Sequence, residues 1–295
     1  MPRKVLIQLD CDPQPSVFDA VVAVDAGADV LLRHGGVTPE NAVPLVHGAM
    51  FTRGVADLSD TAIFVGGSDV AAAEAVAERV RRTFFGPVRV GVMVDPNGAN
   101  TTAGAAVVVA ARHVPLGGAA GSACRAIVLG GTGPVGQRVA RLLAGKGAHV
   151  TIASRSVERA RQVAGSVTAR VPGARMETIE SLGGCLPGSA LAKAIGMADV
   201  VVAAGAAGAT LLDAAGRAAA SSARVIIDLN AVPPAGIEGV VATDKARPDG
   251  AAVLYGALGV GGTKMKIHRA AIARIFASTD AFLDAEDLLV IGESL

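Results

Sequence analysis

The chain has 295 residues, 51% hydrophobic and only 3% aromatic, with no Trp and a formal net charge of +1. That length holds one large domain or two ordinary ones, with apolar surface for two cores. The near-neutral charge and scarce aromatics exclude a nucleic-acid binder, which needs a clustered basic excess or base-stacking platforms.

The opening "MPRKVLIQLD" has too short an apolar run for a signal peptide, and Lys4–Asp10 reads as a first strand. Pro15–Ala28 has apolar residues at helical spacing. Thr61–Gly67 reads as a buried strand, and the helix after it starts on Ser68 or Asp69 and leaves through Arg81, Arg82 and Gly86. Val88–Val94 follows as a strand. Asn100–Val114 follows as a helix capped by Asn or Thr. The longest apolar run, Ala103–Ala111, stops at Arg112 and is far shorter than the roughly 20 residues of a membrane span, so no membrane association is expected.

Pro115–Arg125, rich in Gly, Ala and Ser, reads as a connection between domains. A second α/β pattern follows: strand "AIVLGG", helix "GPVGQRVARLLAGKGA", strand "HVTIASR", then strands at Asp199–Gly205 and Arg224–Asn230. Gly259–Ser278 becomes helical after its glycines. Strands alternating with helices imply an α/β protein of two α/β domains with a cleft between them. The expected division is 1–118 and 119–263, the latter a Rossmann dinucleotide-binding domain with a parallel sheet. Cys11, Cys124 and Cys185 are few, scattered and odd in number. They suggest neither a disulfide framework nor a metal site, and a cytoplasmic protein is expected.

Gly131-Thr132-Gly133-Pro134-Val135-Gly136 matches G-x-G-x-x-G between an apolar strand and an apolar helix, the context that gives the pattern meaning. The alternative is a tight turn without a ligand. In such loops glycines permit the turn, backbone approach to a pyrophosphate and close helix packing, while helix N–H groups face the phosphates. An NAD site normally closes its second strand with Asp or Glu. This chain has Ser154 and Arg155, a hydroxyl and a planar fork of donors suited to a 2′-phosphate. NADP is therefore expected, with NAD possible. Ala204 and Asn230, at later strand ends, are further cofactor-side candidates, although Asn230 before "AVPP" also reads as a turn signal.

"GVGGTKMKIHR" places Lys264, Lys266, His268 and Arg269 near an expected helix start, where positive charge opposes the helix dipole. Lys264 entering the cleft and a solvated basic face are equal readings by spacing. Asp10, Asp12 and Asp19 gather after the first strand, and capping is the expected role of Asp12. Asn100, Thr101 and Thr102 read first as caps. The single tyrosine, Tyr255, is followed four residues later by Gly259, so no Tyr-x-x-x-Lys acid–base pair exists. That argues against a short-chain dehydrogenase reducing carbonyls.

Together these stretches resemble the NAD(P)-dependent methylene-tetrahydromethanopterin dehydrogenases of methylotrophic bacteria, distant relatives of methylene-tetrahydrofolate dehydrogenases. The resemblance covers nearly the whole chain. It is carried by "PSVFDAVVAVDAGAD", "GGVTPENAVPLVHGAMFTRG", "TAIFVGGSDVAA", "FFGPVRV", "NGANTTAGAA", "GGTGPVGQRVARLLAGKGA", "VPPAGIEGVVATDK" and "GALGVGGTKMKIHRA". The glycine loop is generic, whereas the N-terminal stretches and the last one are specific.

The resemblance implies hydride transfer from a methylene-bridged pterin to NADP or NAD, giving the methenyl product, within the one-carbon metabolism of formaldehyde oxidation. It implies that the N-terminal domain, with helices in 264–295 packing back on it, binds a tetrahydromethanopterin-type carrier. It also implies Lys264 and Asp19 as catalytic candidates, with Asn100 and Thr102 on the pterin side. A homo-oligomer is expected. The absent Tyr-x-x-x-Lys motif implies no hydrolysis of the methenyl product. The alternatives are an NADP-dependent methylene-tetrahydrofolate dehydrogenase, a non-catalytic NADP-sensing protein, and a shikimate-dehydrogenase-like enzyme lacking a recognisable proton donor.

Overall fold

The computed structural model describes residues 2–118, 123–181 and 185–295. Of the connection expected at Pro115–Arg125, residues 119–122 lie outside the described residues. In chain order the first elements are β1 (Val5–Asp10), α1 (Val17–Asp25), β2 (Val30–His34), α2 (Pro39–Phe51), β3 (Thr61–Gly66), α3 (Val70–Thr83), β4 (Gly91–Val94) and α4 (Ala99–Ala111). Next come β5 (Arg125–Leu129), α5 (Pro134–Gly145), β6 (His149–Ser154), α6 (Val157–Arg170), β7 (Arg175–Glu180), α7 (Ala190–Gly196) and β8 (Val200–Ala203). The last are α8 (Ala214–Ala219), β9 (Val225–Asp228), β10 (Lys245–Asp249), β11 (Ala252–Tyr255), α9 (Ala257–Ile275), β12 (Phe282–Leu283) and α10 (Ala285–Glu293). The chain divides into two units, Met1–Thr101 with Met265–Leu295, and Thr102–Lys264.

The first unit is built on a parallel five-stranded sheet in the order β12-β4-β3-β1-β2. Its central strand, β3, is buried at all six positions, which is why "TAIFVG" reads as an unbroken apolar run. Ile7, Leu9, Ile63 and Val65 from the sheet pack with Val46 and Met50 of α2 and Val76 and Val80 of α3. Helix α3 starts on Asp69, whose carboxylate accepts the Ala72 N–H at 3.0 Å, and ends with Arg81 and Arg82.

The second unit holds seven strands in the order β10-β11-β9-β8-β5-β6-β7. All pairings are parallel except β10 with β11. Leaving out β10, the parallel strands run third, second, first, fourth, fifth, sixth in chain order. That is the doubly wound dinucleotide-binding arrangement, with its crevice at the carboxyl ends of the strands beside β5. The antiparallel edge strand β10 is an addition to the parallel sheet expected from the sequence.

Three local expectations are corrected. Helix α9 begins at Ala257, before its glycines, so Lys264 lies well inside it and the charge-against-dipole reading of a helix start does not apply. Ser16 caps α1, accepting the Asp19 N–H at 3.2 Å. Asp12 instead binds Ser68, accepting its N–H at 2.9 Å and its hydroxyl at 2.8 Å, and so ties the ends of β1 and β3. The start of α4 is held by Asp95 rather than by Asn or Thr. Its carboxylate accepts the Asn100 and Thr101 N–H groups and the Thr101 hydroxyl at 2.6 Å.

Candidate active site

In the second unit the chain leaves β5 through Gly130, whose φ of +68° favours glycine. A Cβ there would also lie 2.6 Å from Gly205 Cα. At Gly136 a Cβ would lie 2.7 Å from Gly131 Cα, so the first turn of α5 sits directly on the loop. Gly133 differs. A Cβ there would meet nothing nearer than Ala204 O at 3.5 Å. Gly133 is the N-cap of α5 and provides no side-chain cap, with Pro134 following. The first N–H groups of a helix lack intrahelical acceptors. A bare cap above open space is what a bound pyrophosphate requires, so the loop fits a dinucleotide.

Strand β6 ends at Ser154, which is buried. Its Oγ lies 3.2 Å from Thr132 Oγ1 and accepts the Ser156 N–H at 3.3 Å. The glycine loop and the β6 end are thus joined through two hydroxyls where an NAD site would hold a carboxylate. Arg155 is exposed. Ser156 caps α6 by accepting the Arg159 N–H, which puts a second arginine in the first turn of that helix. Sequence reasoning passed over Arg159; the signal available was a cation in a helical first turn, a position that favours anions. It also passed over Glu180, the exposed register partner of Ser154 on β7.

Ala204 is buried beside the loop, its N–H bonded to Leu129 O at 2.9 Å. Asp228, at the end of β9, is buried and accepts the Asn230 and Ile237 N–H groups, each at 3.0 Å. Burial pushes its carboxyl above the ordinary value, while backbone hydrogen bonds from Asn230, Ile237 and Gly236 oppose the shift. The Asn230 side chain accepts the Val232 N–H and donates to Pro234 O, both at 3.0 Å. Asn230 therefore builds the turn after β9, and its backbone caps the strand end.

In the first unit, Asp10 is buried and accepts the Asp12 and Ser16 N–H groups at 3.0 Å. Asn100 is buried and its amide donates to Val94 O at 2.6 Å. Asp19 is half-buried in the first turn of α1. Thr102 and Lys264, both half-buried, stand at the two ends of the second unit's span.

The basic cluster of α9 is no uniform solvated face. His268 is fully buried and stacks on Phe64 with ring centroids 5.7 Å apart. Arg269 pairs with Asp25 at 3.2 Å, and Lys266 is exposed.

Two family profiles match the chain. The N-terminal profile of methylene-tetrahydromethanopterin dehydrogenase covers residues 17–97, and that of shikimate/quinate 5-dehydrogenase covers residues 118–246. A protein of Methylorubrum extorquens described as "Bifunctional protein MdtA" is 44% identical over the whole of both chains. The NAD(P)-dependent methylenetetrahydromethanopterin dehydrogenase of the same organism is 34% identical over 90% of this chain and 89% of its own. The chain belongs to the NAD(P)-dependent methylenetetrahydromethanopterin dehydrogenase family. It is an oxidoreductase of that family, as its motifs lead one to expect. Among solved structures, shikimate 5-dehydrogenase from Listeria monocytogenes, in complex with shikimate and NAD, superposes with a TM-score of 0.54. The identity is 15%, over 93% of this chain and 92% of that one, a likeness of fold. Among the described residues no helix is long and apolar enough to cross a membrane.

Proposed function

We propose that this enzyme transfers a hydride from the methylene carbon of methylene-tetrahydromethanopterin to NADP, or less readily NAD, giving the methenyl product. The observation that carries this reading is a fitted dinucleotide loop ending in Ser154 and Arg155, within a chain of this family. The nicotinamide supplies the hydride acceptor. No proton moves in the step, because the product is a delocalised cation, so the missing Tyr-x-x-x-Lys pair is no obstacle. What the protein contributes is placement and a fixed electrostatic setting.

In this reading the N–H groups at the start of α5 and the backbone from Gly131 to Gly136 hold the pyrophosphate, with Ala204 flooring the loop. Ser154 and Arg155 receive the 2′-phosphate, with Arg159 near at hand. Asn230 and its turn bound the nicotinamide end. Lys264 donates to the carrier or to a cofactor oxygen, and Asp19 balances the developing positive charge. Asn100 and Thr102 border the pterin, which we assign to the N-terminal domain with the C-terminal helices. We place the enzyme in the cytoplasm as a homo-oligomer of one-carbon metabolism and formaldehyde oxidation. Its three cysteines are free thiols, in keeping with a reducing compartment.

The tetrahydrofolate carrier, which differs mainly beyond the reacting carbon, is the second donor to test. The test is formation of reduced nicotinamide from either methylene carrier with purified protein. Turnover with the methanopterin carrier supports the proposal, and absence of turnover with both carriers overturns it.

A further inference from the structure

The start of α9 is gripped at several points, all within the second unit. Gly256 and Gly259 seat it on the loop before β10. A Cβ at Gly256 would lie 2.0 Å from Val241 O, and one at Gly259 would lie 1.8 Å from Asp244 O. No other residue fits at these two positions without moving backbone. That loop is itself fixed by Asp244, a buried carboxylate accepting the Val241 N–H at 2.8 Å and pairing with Arg247 at 2.6 Å. The Gly256 N–H donates to Asp244 O at 2.9 Å, and the Leu258 N–H donates to Ala242 O at 2.8 Å.

A second grip comes from the end of α4. His113 Nε2 lies 2.9 Å from the hydroxyl of Tyr255, two residues before α9 begins, and their rings tilt together at 5.6 Å. Tyr255 is buried. The preceding residue, Arg112, donates through Nη1 to Thr263 Oγ1 at 3.4 Å. Thr263 is also buried and immediately precedes Lys264. Two adjacent side chains of one turn thus hold both ends of the segment 255–263 that delivers Lys264. The chain's single tyrosine, unsuited by its spacing to acid–base work, acquires a role as an anchor.

We infer that Arg112, His113, Tyr255 and Thr263 are positioning residues that fix Lys264 for hydride transfer. This rests on the assignment of Lys264 to the reaction made above. Lys264 is a flexible four-carbon stem carrying a point charge, so its aim depends on how firmly its helix is held. Loss of the two hydroxyl contacts leaves the fold and the cofactor loop in place but loosens that aim.

The test uses Tyr255→Phe, Thr263→Val and their combination in the full chain, each with and without Lys264→Ala. Turnover, KM for the carrier, NADP affinity and Tm are measured. With Lys264 present, the combined variant should lose kcat by about tenfold or more at unchanged NADP affinity, as misplacement of a reacting group costs rate before binding. In the Lys264→Ala background the same pair should have no further effect, because coupled residues are non-additive. Equal fractional losses in both backgrounds, or no loss with Lys264 present, overturn the inference while leaving the Lys264 assignment intact. Normal turnover of Lys264→Ala alone overturns that assignment and the inference with it. If the combined variant loses its thermal transition, Tyr255→Phe alone, which removes one oxygen, decides by the same comparison.

Discussion

The hydroxyls of Thr132 and Ser154 lie 3.2 Å apart, joining the glycine loop to the end of β6. An acidic side chain in place of Ser154 would present a charge repelling a 2′-phosphate. A hydroxyl pair backed by an exposed arginine presents donors instead. On the proposed reading, the preference for NADP follows from that difference in chemistry at one strand end.

Arg155→Ala should raise the Kd for NADP by about 10- to 100-fold, the loss of a charge-assisted contact worth about 1.5–3 kcal/mol. The Kd for NAD, which lacks the phosphate, should change little. Titration of both cofactors into the variant checks this. Parallel losses would show that Arg155 does not read the phosphate.

Gly133→Ala and Gly136→Ala separate cofactor space from fold space. At Gly136 the new methyl collides with Gly131 Cα, so Tm should fall, with overpacking costing about 1–3 kcal/mol. At Gly133 the new methyl meets only ordinary contacts, so Tm should hold while NADP affinity collapses. Thermal melts with and without NADP distinguish the two. A Gly133→Ala protein that still gains full stabilisation from NADP would contradict the placement of the pyrophosphate.

Lys264→Ala should lower kcat by on the order of 10²-fold, the scale expected when a reacting group is misplaced. Its Tm and cofactor affinity should stay near those of the parent enzyme. Near-normal turnover would return this lysine to an ordinary surface role.

Stability should depend on pH through His113. Burial, then the Arg112 and Arg224 cations, hold its pKa below the ordinary 6.5; the other group facing it is the neutral Tyr255 hydroxyl. The unfolded chain therefore takes up this proton more readily than the folded one. The stability so gained is fully present above the ordinary value and is lost as pH falls through it towards the folded value. Melts at about pH 7.5 and about pH 5.5 should show a smaller acid-induced drop in Tm for His113→Gln than for the parent, since the titrating ring is gone. Equal drops would mean that this histidine carries no such linkage.

Much of the fold was legible because burial on both faces leaves an unbroken apolar run, as in Thr61–Gly66, and because caps and exits are local, as at Asp69 and Arg81–Arg82. Elements on the rim were not. Strand β7 alternates polar residues at the sheet edge, and β10 contains Pro248, so neither carries the apolar signature. The start of α9 was misread because Gly259, Gly261 and Gly262 signal a loop locally. At Gly259 the choice is set by the backbone of Asp244, fifteen residues away. Asp95 went unnoticed as the holder of α4 because it acts across an intervening short 3-10 turn. The strand–glycine–helix turn and the end of β6 at Ser154 were readable, since local spacing specifies them. The grip of His113 on Tyr255 joins residues 142 apart, a pairing that only folding reveals.

The hydride transfer itself is measured as the initial rate of reduced nicotinamide formation from methylene-tetrahydromethanopterin with NADP and NAD in parallel, and methylene-tetrahydrofolate as second donor. The enzyme should turn over the methanopterin carrier, with a higher kcat/KM for NADP than for NAD. Tight NADP binding without turnover of either carrier would contradict this, leaving a protein that senses the cofactor rather than one that uses it.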